Sequence, residues 1–272
     1  MAAWRCHHYS HTSHGPLAVR TEIDRQILAL WCEVDADFMM GGNEQTWGEE
    51  EREETSEDEG NEAPSFREKV IALFEKGEAS HVLSLMADAV HAPQHGRHTH
   101  WDPLLLWVRP SHCCIQSIAD HVRDAHCDAL ASIGCGTGLL EWLIHKLTGT
   151  SVVGYEINTG WWSSPYSPPT FIPLVFVDSS DPPLAVPPAH ALMCCYFNNG
   201  EVFRKYVDSY DGPAMIIIGS IDKNRHTEPR PLDYEDIHPW TLTRTHRISD
   251  TDLIGFYVRD QLKVDAVRKL RM

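Results

Sequence analysis

The second half of the chain predicts an α/β fold: a seven-stranded, mostly parallel sheet with helices on both faces. A C-terminal antiparallel hairpin closes the sheet, and helices precede it. Three observations predict this. From Asp128 onward, short apolar runs alternate with segments of helical period, the pattern of a parallel sheet buried on both faces. A glycine-rich turn, Gly134–Gly138, joins the first of those runs to the first helical segment. The last two apolar runs have a short turn and no helix between them, so they must run antiparallel.

Residues 1–40 contain one apolar run, Ile27 to Trp31, of helix or strand type. Residues 41–63 are acidic and poor in apolar side chains, so an unordered linker is expected there. Residues 64–127 read as a helical extension. Ser65 and Glu68 have capping-box spacing, with Phe66, Val70, Ile71 and Phe74 behind them at helical period. A second helix is expected from Ser80 to about Val90, and a third from a Ser111 cap through Ile115, Ile118 and Val122. Residues 128–272 form the main domain. Its expected strands are Ala129–Ile133, Ser151–Glu156, Phe171–Val177, Ala191–Phe197 and Ala214–Gly219, then the hairpin strands Trp240–Ile248 and Leu253–Arg259. Leu139–Leu147 and Glu201–Tyr210 are expected helices, the first stopped by Gly149.

The strand–turn–helix around Ser132-Ile133-Gly134-Cys135-Gly136-Thr137-Gly138-Leu139 suits a bound ligand. Glycines let the backbone turn sharply and approach a ligand, and the helix start offers unpaired N–H groups. A dinucleotide fingerprint would need a third glycine at position 139, where leucine stands. The G-x-G-x-G spacing instead resembles the first motif of class I, Rossmann-like S-adenosylmethionine-dependent methyltransferases, over Trp107 to Arg259. The resemblance implies S-adenosyl-L-methionine as cofactor, with its methionine and ribose over Gly134, Cys135, Gly136 and Gly138. It implies that Glu156, ending the second strand, binds the ribose hydroxyls. It implies that Asp178, after the third strand, faces the adenine amine; a turn cap is the other reading of that residue. It also implies a seventh strand lying antiparallel between the fifth and the sixth. Trp107-Val108-Arg109-Pro110 resembles the Trp-x-x-Pro segment of one poorly characterised branch of that class, which adds Trp107 to the cofactor-binding candidates.

That branch carries Trp-Pro-Pro after strand four and Gly-Glu after strand five. This chain has Tyr196-Phe197-Asn198-Asn199 and Gly219-Ser220. Residues after strand four face the transferred methyl group in the class, so Tyr196, Asn198 and Asn199 are the catalytic candidates. The asparagine carbonyls would orient an amine or amide; alternatively Asn-Gly makes a turn and starts a helix. Cys194 and Cys195 sit in an apolar strand and read as buried structural cysteines rather than nucleophiles. Trp161-Trp162 to Tyr166 would wall the adenine or pack as a surface loop. His91, His95, His98 and His100 crowd one polar segment, but no Cys or carboxylate joins them at ligand spacing, so no metal site is expected.

The formal charge is −16, of which −9 falls in residues 41–62. No basic stripe of the kind that neutralises phosphates is visible, which disfavours a nucleic-acid acceptor. A small molecule or a protein side chain is the expected acceptor, and the acidic segment is a candidate protein-binding tail. No apolar run is long enough to span a bilayer, no secretory signal is seen, and eight unpatterned cysteines suit a reducing compartment. An intracellular, cytoplasmic or nuclear enzyme is therefore expected. The alternative function is a cofactor-binding sensor or regulatory module without catalysis.

Overall fold

The structure, a computed structural model, describes residues 64–91, 102–177 and 185–260. The expectations for residues 1–40 and 41–63, for Asp178, and for His95, His98 and His100 lie outside the described residues. The elements run α1 (Phe66–Glu75), α2 (Ala79–His91), α3 (His112–Asp124), β1 (Ala129–Ile133), α4 (Leu139–Thr148), β2 (Val152–Glu156), α5 (Thr159–Trp162), β3 (Leu174–Phe176), β4 (His190–Cys195), α6 (Gly200–Ser209), β5 (Ala214–Ser220), β6 (Trp240–Arg247) and β7 (Asp252–Arg259).

The seven strands form one sheet in the order β3-β2-β1-β4-β5-β7-β6. The first five are parallel. β7 runs antiparallel between β5 and β6, as the resemblance implies. From β1 the chain winds outward to β2 and β3, then returns to β4 on the other side of β1. Open α/β sheets bind ligands outside the carboxyl ends of the strands at such a reversal. The glycine loop leaves the end of β1 there.

Side-chain alternation sorts the sheet into two faces. Leu130, Met193, Ile216, Ile254 and Phe256 pack with α1 to α4 in one core. Ala131, Ile133, Cys194, Ile217 and Tyr257 pack with Phe203 and Tyr206 of α6, and with Tyr234, in the other. Every residue of β1 and of β5 is buried, which explains why both read as mostly apolar runs without polar alternation. The first core crosses the junction at residues 127–128. Phe66 and Val70 of α1 and Ile115 and Ile118 of α3 share it with the sheet.

The helix caps follow the sequence. Ser65 and Glu68 make the reciprocal capping box. Ser111 accepts from the Cys114 N–H, and Gly149 ends α4 in the left-handed region. Two strands depart from the expected bounds by two residues or more. β3 is Leu174–Phe176, because Phe171 turns into the core ahead of Pro173 rather than pairing. β4 ends at Cys195, because Tyr196 turns to φ 50°. Among the described residues no helix is long and apolar enough to cross a membrane.

Candidate functional site

The loop after β1 is held by β2. The N–H groups of Gly134 and Cys135 both donate to the Tyr155 carbonyl, at 2.9 and 3.3 Å. Gly138 closes the turn by donating to the Cys135 carbonyl at 3.1 Å, and starts α4 without a side-chain cap. Gly134, Gly136 and Gly138 all have positive φ. Gly138 is also sterically required, since a Cβ there would run into Ile172. A Cβ on Gly136, φ 60°, would meet nothing within 4 Å. The loop therefore packs tightly at its root and faces open space at its crest. Thr137 anchors it from below: its hydroxyl donates to the Leu105 carbonyl at 2.7 Å, and its carbonyl accepts from the Phe171 N–H at 2.8 Å.

Two buried carboxylates flank the loop. Glu156, at the end of β2, accepts from the Gly136 N–H (2.7 Å) and the Ile157 N–H (3.0 Å). Burial pushes its carboxyl up. Those two N–H groups and the Trp162 side chain pull the other way by stabilising the anion. Each carboxylate oxygen can accept twice, so Glu156 keeps acceptor capacity for a diol. Trp162, in the tryptophan pair of α5, thus stands at Glu156; Tyr166 further along is exposed. Glu141, in the first turn of α4, accepts from the Ser132 hydroxyl at 2.6 Å. Burial raises its carboxyl to about 7, and the charge of Glu156 adds to the shift. Burial, then the same two carboxylates, pushes the Cys135 thiol well up, so it is no ready nucleophile.

On the other side of the loop, Tyr196 follows β4 with φ 50°, a region that bulky residues rarely adopt. That turn lays its ring parallel to Trp107, with centroids 5.8 Å apart and 18° between planes. Trp107 is 41% exposed. The Tyr196 hydroxyl donates to Asp252 Oδ1 (2.6 Å) and accepts from Arg225 Nη1 (3.2 Å). Burial and the Asp252 hydrogen bond push this phenol up to about 12, so it stays protonated at neutral pH. Arg225 also pairs with Asp252 at 3.7 Å. Arg109 is close enough for the Arg225 charge to lower its pKa, after the larger effect of burial.

The candidates after β4 are thus in one place but differently engaged. Asn199 Oδ1 accepts from the Val202 N–H at 3.0 Å and caps α6, the helix-start reading of Asn-Gly. Asn198 is exposed, and its carbonyl meets His226 Nε2 at 3.3 Å. Cys194 is buried in β4, and burial raises both its thiol and that of Cys195. Sequence reasoning missed Glu141, Asp252, Arg225 and Ile172. The spacing of Ser132 to Glu141, nine residues across a strand–turn–helix, was the one signal available for any of them.

The sheet order, with its one reversed strand, is that of the class I S-adenosylmethionine-dependent methyltransferase fold. No family model and no curated protein matches the sequence. Solved structures do show a likeness. One is a SAM dependent methyltransferase from Aquifex aeolicus, at 14% identity over 59% of this chain and 100% of that one, with a TM-score of 0.33. Another is an O-methyltransferase from Bacillus cereus in complex with SAH (S-adenosylhomocysteine), at 16% identity over 69% and 90%, with a TM-score of 0.37. A third is a dimethyladenosine transferase from Plasmodium falciparum, at 14% identity over 54% and 62%, with a TM-score of 0.32. Likenesses this distant assign no residue and no acceptor to this chain.

Proposed function

We propose that the chain binds S-adenosylmethionine on the Gly134–Gly138 loop and transfers its methyl group to a small molecule or a protein side chain. The observation that carries this is the Gly136 crest. It lies at the winding reversal, opens onto space a side chain would fill, and is clasped to Glu156 by its own N–H. The residues present fit that cofactor: a carboxylate with spare acceptor capacity for the ribose diol, and an open backbone edge beside it. The cofactor supplies an electrophilic methyl group on a sulfonium.

The chain's own residues bind and position. Glu156 accepts the ribose hydroxyls while keeping the loop closed through Gly136. Trp162 screens Glu156 from water. Across the loop, Trp107 and Tyr196 form an aromatic wall, and Asp252 and Arg225 hold the tyrosine by its hydroxyl. Tyr196 acts there as a positioning residue, since its phenol is already engaged by two partners. Asn198 is the remaining polar candidate facing an acceptor. Asp178 is proposed for the adenine amine on the resemblance alone.

Calorimetric titration with SAH tests the cofactor assignment; micromolar binding is expected, and no binding at millimolar ligand would overturn it. Transfer of labelled methyl from the cofactor to a component of a cell extract tests the reaction. SAH binding without any transfer would leave a cofactor-binding regulatory module as the function.

A further inference from the structure

Glu141 is a carboxylate that the cofactor reading above does not use. It is 1% exposed, on the sheet-facing side of α4. Ser132 fixes its head by donating to Oε1 at 2.6 Å. Its Oε2 is also buried and, among the described residues, has no hydrogen-bond partner. A buried carboxylate oxygen without a donor is strongly unfavourable. Besides Ser132, its own backbone N–H favours the charged form, but burial outweighs both. Glu156 on β2 acts on it with charge of the same sign. Cys135 on the loop and Cys195 at the end of β4 are thiols that feel its charge.

Those neighbours also locate it. β2 and β4 lie on opposite sides of β1. Glu156 ends β2, whereas Glu141 is bonded to Ser132 of β1, and its charge is felt at Cys195, the end of β4. A cofactor with its ribose at Glu156 and its amino-acid end over the Gly134–Gly138 loop directs that end from the β2 side towards the β4 side. That end carries an ammonium, which brings both positive charge and N–H donors; the sulfonium has charge but no donor.

We infer that Glu141 Oε2 receives the α-ammonium of the cofactor, so that two carboxylates divide the ligand between them. This rests on the S-adenosylmethionine reading of the loop. Ser132 is then a positioning residue that aims Glu141.

The test compares SAH with 5′-methylthioadenosine, which has the same nucleoside and thioether sulfur but no amino-acid end. Glu141→Gln keeps an acceptor for Ser132 and removes a buried charge, so the variant is expected to fold. It should weaken SAH binding about tenfold to a hundredfold, the effect of losing one charge-assisted hydrogen bond. Methylthioadenosine binding should change less than about twofold on that scale. A second readout needs no variant. Near pH 7, SAH should displace a fraction of a proton from the wild-type protein, seen as buffer-dependent binding enthalpy, and methylthioadenosine should displace less. Equal loss of both ligands in Glu141→Gln, loss of neither, or equal proton release would overturn the inference. Wild-type protein that binds neither ligand would overturn the cofactor reading itself.

Discussion

Glu141 holds its carboxyl at about 7 against a usual 4.5, and the direction of that shift fixes a pH dependence. The native state binds the extra proton, so the group's stabilising contribution is present below about pH 4.5 and is lost as pH rises to about 7. A shift of that size corresponds to about 3 kcal/mol at full extent. Glutamine resembles the protonated acid at every pH. Glu141→Gln should therefore match the ligand-free wild type at pH 4.5 and exceed its stability by up to about 3 kcal/mol at pH 8. Urea midpoints at the two values read this directly; a constant offset would show that Glu141 does not titrate in the native state. At Gly136, arginine and alanine share the backbone strain of a left-handed residue, about 1 kcal/mol. Only arginine fills the space over the crest. Gly136→Arg should abolish SAH binding in a folded protein, whereas Gly136→Ala, whose methyl group leaves most of that space open, should retain it within about tenfold. Similar affinities for the two variants would move the ligand off the loop. Glu156→Ala removes the acceptor of the Gly136 and Ile157 N–H groups together with the ribose ligand. It should weaken SAH at least about tenfold.

At the scale of elements, what the sequence made legible tracks how much of each pattern is local. β1 and β5 are covered on both faces, so their apolar runs coincide with their pairing. β3 is an edge strand that pairs only with β2, and Phe171 contributes its ring to the core rather than its backbone to the sheet. Its apolar run therefore overstated its length. α5 has four residues, too few for any period, and its cap, Asn158, adopts φ 60°. The site divides in the same way. The glycine loop and Glu156 are motif residues within one strand–loop–helix–strand unit. Asp252 reaches Tyr196 from 56 residues away, because antiparallel β7 begins beside the end of parallel β5, a neighbour relation set by the whole sheet. The turn at Tyr196 had no signal, since tyrosine is an unusual choice for positive φ. Asn199 was legible in both its readings, and its cap bond to Val202 separates them in experiment. Asn199→Ala should lower stability by about 1 kcal/mol, as for other lost N-caps, and leave methyl transfer near wild type under conditions where both proteins are folded. A fall in turnover far beyond the stability loss would return Asn199 to the acceptor site.

Across the whole molecule, the N-terminal helices and the cofactor loop answer to one core. Phe74 of α1 packs edge-on against Trp142 of α4, at 5.1 Å, and against Phe171, at 4.9 Å. Phe171 in turn donates to the Thr137 carbonyl, and Thr137 donates to Leu105 from the segment ahead of α3. The loop that faces the ligand is therefore braced from below by Phe74 of α1 and by Leu105. Two consequences follow for unfolding. Residues 64–260 should melt in one transition, with tryptophan fluorescence and far-ultraviolet circular dichroism coincident. Phe74→Ala should shift that single transition rather than detach the helices, costing about 3 kcal/mol for a half-buried ring. It should also weaken SAH, because Phe171 and Thr137 lose the ring against which they are packed. Saturation at a hundred times the dissociation constant stabilises by about 2.7 kcal/mol. Wild-type protein should gain that amount, and the variant less at the same SAH concentration. Two separable melting steps, or a Phe74→Ala protein that gains as much from SAH as the wild type, would show that the N-terminal helices are an independent appendage and that the loop holds its shape without them.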